Sequence, residues 1–210
     1  MEITQETFDK ASIIFDAEKQ LLWDCRYLLI ARLFASCSYA LRLKVGAVLI
    51  KDRRIISTGY NGTAPGDRNV CEQAVRPDGI AEDRFNSLVD EEVRAHLLEL
   101  NQHAGYNLRT LPTVIHAEAN AILKVAESHE TSQGSTLYIT HNPCFECSKM
   151  ILGAGIVRVV YENRYRAAQG VAFLRSNGIK VDQIPPTIEV NRQLNKVLQP
   201  NKINIREYGR

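Results

Sequence analysis

Thr136-Leu137-Tyr138-Ile139-Thr140-His141-Asn142-Pro143-Cys144-Phe145-Glu146-Cys147 reads as a short β-strand running straight into a proline-opened helix. Residues 136–140 are rich in β-branched and aromatic side chains, which suit a pleated, half-buried surface. Asn142-Pro143 turns the chain, and a helix follows from about Cys144 to Leu152, ended by Gly153 and Gly155. Downstream, residues 157–161 read as a strand, 169–176 as a helix stopped by Gly178, and 179–181 as a late strand. This strand–helix–strand–helix–strand rhythm implies parallel pairing under helical cover, an α/β fold.

Upstream, residues 44–50 read as a central strand, 51–54 as a turn and 55–59 as the returning strand of a hairpin. Tyr60-Asn61-Gly62-Thr63-Ala64-Pro65-Gly66 is a shaped loop. Residues 5–40 carry helical periodicity and are expected as two segments, the second apolar nearly all round and so buried between a sheet and another layer. Residues 115–125 read as a helix with His116 in its first turn. Residues 67–113 are the least regular, with a helix expected over 82–103. The organisation expected is one domain, 1–210, with an N-terminal helical extension 1–20, an insertion 67–113 and a polar tail 184–210.

Lys and Arg total 26 against 24 Asp and Glu, a formal charge of +2. That balance argues against a partner such as polymeric nucleic acid, while leaving room for a local phosphate patch. The five Cys are odd in number and widely spaced, unlike a secreted disulfide framework. The polar, acidic start is unlike a signal peptide, and the apolar runs are too short for a membrane span. A reducing, cytoplasmic setting is expected.

The chemistry concentrates in His116, Glu118, Cys144 and Cys147. A catalytic zinc site has three protein ligands and one open position for water. Cys144 and Cys147 are three apart and share one face of a helix, while His116 reaches in from another helix start. Helix N-termini favour the bound thiolates. Zinc lowers the pKa of its water towards ~7, and Glu118 would act as the catalytic proton carrier. A C-x-x-C pair alone could equally be a redox dithiol or half of a closed structural site. Glu118 argues for catalysis, because a closed site has no use for a carboxylate there. Glu146, between the two Cys, is expected to point elsewhere. Cys25 reads as plain core.

The pattern His116-x-Glu118 with Pro143-Cys144-x-x-Cys147 matches the zinc deaminase signature. With Lys44-Val45-Gly46-Ala47-Val48, Thr58-Gly59-Tyr60-Asn61-Gly62 and Trp23-Asp24, the chain resembles the cytidine/deoxycytidylate deaminase superfamily. Its deoxycytidylate (dCMP) deaminase branch, of the phage and cellular type, is the nearest. The resemblance covers roughly residues 21–183. It implies a three-layer α/β/α, cytidine deaminase-like fold with a mixed five-stranded sheet. It implies hydrolysis of dCMP to dUMP and ammonia, feeding dTTP synthesis.

His116, Cys144 and Cys147 match the family's zinc ligands and Glu118 its proton shuttle. Asn61 matches a residue contacting the nucleotide sugar, and one of Tyr161 and Tyr165 is expected near the pyrimidine. A second, structural zinc occurs in some members; here Cys37, Cys71, His96 and His103 are the available ligands. The family also implies a homo-oligomer, a hexamer in many members, activated by dCTP and inhibited by dTTP, with Mg2+ accompanying a triphosphate effector. Gly59, Gly62 and Gly66 are the candidates for an effector loop. Lys44, Arg164 and Arg166 are the basic residues offered to a substrate phosphate, and Arg158 reads as readily as a plain surface residue. The rival readings are a tRNA adenosine deaminase or another nucleoside or base deaminase of this fold, and a non-catalytic zinc-stabilised interaction module.

Overall fold

In the computed structural model, which describes residues 5–76, 78, 90–103, 105–165 and 168–186, the hairpin and the later strands join in one sheet. β1 (Gly46–Lys51) and β2 (Arg54–Tyr60) form the hairpin. β5 (Thr136–His141), β6 (Arg158–Asn163) and β7 (Lys180–Gln183) complete the order β2-β1-β5-β6-β7. The pairs β5–β6 and β6–β7 are parallel, as the helical crossovers demand, while β1 runs antiparallel to both of its neighbours. The sheet is therefore mixed and five-stranded.

Strand alternation sends Ala47, Leu49, Leu137, Ile139, Val159 and Tyr161 to one face. There they meet α3 (Ala117–Ala126), α4 (Phe145–Gly153) and α5 (Gln169–Ser176). Val48, Ile50, Tyr138 and Val160 face the other way, onto Cys25, Tyr27, Leu28 and Ala31 of α1 (Gln5–Ala35). Each fully buried Val, Leu or Ile among them contributes roughly 1.5–3 kcal/mol.

Two expectations for α1 are corrected. No Gly or Pro interrupts residues 5–35, so the segment runs as one helix and not two. It is also an outer layer: Leu33 stays 67% exposed, so nothing within the described residues covers its far side. Its packed side is held further by a polar cluster. Arg158 grips Asp24 with both terminal nitrogens, at 2.9 and 2.7 Å, and also binds Asp182, while the Tyr138 hydroxyl donates to Asp24 at 2.6 Å. Arg158 is thus a structural clamp, not the surface residue expected. Cys25 is core, and burial pushes its thiol up.

The insertion contains a second sheet absent from the sequence reading. β3 (Glu72–Val75) pairs antiparallel with β4 (Asn107–Thr110), and α2 (Asp90–His103) packs on them. Ala74, Val93 and Leu97 form its small buried cluster. The helix expected over 82–103 is described from Asp90; residues 82–89 lie outside the described residues, as do 187–210 of the tail and Arg166. No described helix is long and apolar enough to cross a membrane.

Candidate active site

Two helix starts converge on one point. His116 is the N-cap of α3, one residue ahead of the first turn expected, with extended φ −69° and ψ 156° and no side-chain cap bond. Its imidazole is therefore not spent on the helix end. The preceding residue is held by a two-way bridge, Ile115 N–H to Gly62 O at 2.8 Å and Gly62 N–H to Ile115 O at 3.1 Å. Cys144 is the N-cap of α4, and its sulfur accepts the Cys147 N–H at 3.4 Å. Gly170 lets α5 close over this turn: a Cβ there would lie 2.4 Å from the Pro143 carbonyl oxygen.

His116 Nδ1 lies 3.6 Å from Cys144 Sγ and 3.3 Å from Cys147 Sγ. Tetrahedral zinc with its ordinary bond lengths separates a nitrogen and a sulfur ligand by about 3.6 Å. The donor set and its spacing therefore fit zinc. Among the described residues this is the one group of three or more such ligands whose atoms all lie within 4.8 Å of one another.

The electrostatics point the same way. The hydrogen bonds from Cys147 and from His116 hold the Cys144 thiol down at about 3. Cys147, sharing a proton with Cys144 and buried, is pushed well up. The Cys144 hydrogen bond raises His116 in turn. Two sulfurs and an imidazole this close share too little positive charge, and a divalent cation is what allows both thiols to ionise. Glu118, 4% exposed, opens on the same cavity, and burial pushes its carboxyl up to about 7. It also shares a hydrogen bond with Cys147. Glu146 points away, as expected, into a surface ion pair with Lys149.

The cavity collects several residues that the sequence did not single out. Arg42, Glu72, Thr110, Val114, His141 and Asn142 line it with Asn61, His116, Glu118, Cys144 and Tyr165. Burial lowers the His141 imidazole below its ordinary value. Asn142 Oδ1 accepts the Tyr165 N–H, which fixes the loop bearing that ring. Asn61 is committed on two sides: its Oδ1 accepts Val45 N–H at 2.7 Å and its Nδ2 donates to Leu43 O at 2.8 Å. One N–H and one lone pair of its amide remain for a ligand.

Other expected site residues stand elsewhere. Tyr161 is a core residue, 5% exposed, with its hydroxyl 3.5 Å from Gln183; it does not line the cavity. Gly59 serves packing, because a Cβ there would sit 2.2 Å from the Ala117 carbonyl oxygen of α3. Gly62 spends its N–H on Ile115, and Gly66 is a turn glycine at φ 89°. These three do not form a phosphate cradle. Cys37 is exposed and Cys71 is buried, and the two form no ligand group with His96. The side chain of His103 lies outside the described residues. The second zinc set is thus not assembled among the described residues.

Residues 21–163 match the family described as the cytidine and deoxycytidylate deaminase zinc-binding region. The chain is 32% identical over 192 residues to the deoxycytidylate deaminase of Enterobacteria phage T4, covering 86% of this chain and 95% of that one. It is 38% identical over 139 residues to the deoxycytidylate deaminase of Mycobacterium phage D29, covering 66% and 93%. The solved structure of dCMP deaminase from cyanophage S-TIM5, in complex with dCMP and dUMP, superposes with a TM-score of 0.58 at 36% identity, covering 76% of this chain and 94% of that one. The chain belongs to the cytidine and deoxycytidylate deaminase family.

Proposed function

We propose that this chain hydrolyses dCMP to dUMP and ammonia. The observation that carries the reading is the buried Glu118 carboxyl facing one cavity with His116, Cys144 and Cys147. Those three residues would hold the zinc. Bound there, zinc supplies Lewis acidity and an acidified water. Glu118, raised towards neutrality by burial, can both accept and return a proton near pH 7. Its carboxylate oxygen takes the first proton of the water and passes it to the ring nitrogen; it then takes the second, from the hydroxyl now on the ring carbon, and gives it to the departing amine. Water adds at the amino-bearing ring carbon, a carbonyl replaces the amine, and ammonia leaves. Asn61 and Tyr165 shape the wall against which sugar and base would rest.

On the same resemblance we extend the proposal to a cytoplasmic homo-oligomer, a hexamer, that supplies dUMP for dTTP synthesis. Activation by dCTP with Mg2+ and inhibition by dTTP are part of it, with the effector site placed away from Gly59, which abuts the Ala117 carbonyl, and from Gly62, whose N–H is spent on Ile115. Light scattering with and without each nucleotide tests the assembly.

The activity is tested by ammonia release from dCMP, CMP, deoxycytidine, cytosine and a tRNA anticodon arm. Rapid release from dCMP alone is expected. No release from dCMP by zinc-loaded protein, or a preference for the tRNA, would overturn the reading.

A further inference from the structure

The cleft that starts at the metal-ligand triad continues outward beneath the small sheet. Its inner and outer parts share Arg42, Thr110, His116, Asn142, Cys144 and Tyr165. Three guanidiniums, those of Arg42, Arg76 and Arg109, line the outer part, and no carboxyl is among its described lining residues. The inner part holds two carboxyls, Glu118 at the triad and Glu72 beneath Arg42. Glu72 is 2% exposed, and its two oxygens accept the backbone N–H groups of Leu41 at 3.1 Å and Arg42 at 3.2 Å. Its charge is met by amides, and it fixes the segment that carries Arg42.

From the other side, Arg42 Nη1 donates to Thr110 Oγ1 on β4 at 3.0 Å. A guanidinium carries five N–H donors in a rigid fork, so this bond leaves most of the fork for an anion. Arg42 is the arginine that belongs to both parts of the cleft. The basic residues suggested by the sequence are placed differently. Arg164 is exposed and donates to Gln183 at 3.1 Å, and neither it nor Lys44 lines the cleft.

Resting on the nucleotide reading above, we propose that Arg42 reads the 5′-phosphate of the substrate, that Glu72 is the positioning residue behind it, and that Arg76 and Arg109 supply the attracting field. A phosphate dianion is met best by a planar, preorganised fork. An arginine-lined groove with a buried carboxylate latch lets the insertion distinguish a nucleotide from a nucleoside.

The test uses the zinc-loaded full chain and compares dUMP with deoxyuridine by calorimetry, and dCMP with deoxycytidine by turnover. In the parent, dUMP binds much more tightly than deoxyuridine. Arg42→Gln shrinks that ratio on the order of tenfold or more, the usual weight of hydrogen bonds to a charged group, with zinc content unchanged. Arg42→Lys, which keeps charge without the fork, gives an intermediate ratio. Glu72→Gln raises KM for dCMP more than it lowers kcat. A parent that binds dUMP and deoxyuridine alike, or an Arg42→Gln that keeps the parent ratio, overturns the inference. If the ratio collapses in Arg42→Gln while the parent releases no ammonia from dCMP, the proposed reaction fails and the phosphate reader stands.

Discussion

The two sheets of this molecule are built to different standards. The five-stranded sheet is packed on both faces, with Leu49, Leu137, Ile139 and Val159 fully buried on one and Val48 and Val160 on the other. The two-stranded sheet rests on Ala74, Val93 and Leu97 with partly buried neighbours. It is joined to the body by polar bonds, Glu72 to the 41–42 amides and Arg42 to Thr110. The metal ligands and Glu118 stand on helices of the large sheet; the arginine groove borders the small one. On the proposed reading, chemistry that needs fixed distances sits on the dense core, and recognition sits on the lighter element.

If that division holds, damage to the large-sheet side destroys rate, and damage to the small-sheet side changes selectivity. The largest effect is expected from Glu118→Gln. It keeps shape and zinc but removes the proton carrier, so kcat should fall on the order of 10²–10⁴-fold. Metal analysis beside single-turnover assays checks this; near-parental turnover with zinc in place would remove Glu118 from the mechanism.

Gly59→Val comes next. Its new Cβ would strike the Ala117 carbonyl oxygen, so α3 must move and carry His116 and Glu118 with it. Overpacking of this kind costs roughly 3 kcal/mol, which for a chain of this size lowers Tm by roughly 6–12 °C. A calorimetric scan showing no drop would mean that the glycine is not there for packing.

Val93→Ala probes the lighter side. Val93 is 1% exposed beneath the small sheet, and deleting two methyl groups removes roughly 1.6 kcal/mol of burial. Hydrogen exchange should quicken over β3, α2 and β4 while the large sheet keeps its protection. Equal loosening of both sheets would show that they unfold as one unit, with no division between them.

What could be read in advance divides along the same line. The strands after residue 136, α5 and the His116–Cys144–Cys147 set depend on local pattern: short apolar runs, glycine stops and a three-residue ligand spacing. The bounds of α5, Gln169–Ser176, coincide with its glycine-terminated periodicity. The small sheet depends on pairing Glu72 with Thr110 across the length of the insertion, and its strands are four residues each, too short to show alternation. Glu72 and Arg42 were invisible for that reason: their meaning appears only when β3 and β4 bring them together. Arg158 and Tyr161 misled differently. A charged residue on a strand ordinarily faces water, and a tyrosine past a metal motif suggests a ligand contact, yet Asp24 claims the first and the core claims the second. Gly59 read as loop chemistry because closeness to a helix backbone leaves no mark in sequence.

The smallest effect marks where neither sheet is at stake. Arg54 at the outer edge of the hairpin bonds Glu130 at 3.1 Å, with their side chains 63% and 36% exposed. Exposed pairs of this kind contribute roughly 0.2–1 kcal/mol and are screened by salt. Arg54→Ala should therefore lower Tm by no more than about 4 °C at low salt and by less at high salt, with kcat and the dUMP-to-deoxyuridine ratio unchanged. That pairing of outcomes separates surface charge from cleft charge. Arg54 and Arg42 are both exposed arginines whose guanidinium bonds one side chain, Glu130 and Thr110 respectively. What distinguishes them is that Arg42 borders the cleft leading to the triad. A change in nucleotide selectivity in Arg54→Ala would mean that net charge, rather than a placed guanidinium, is what attracts the phosphate.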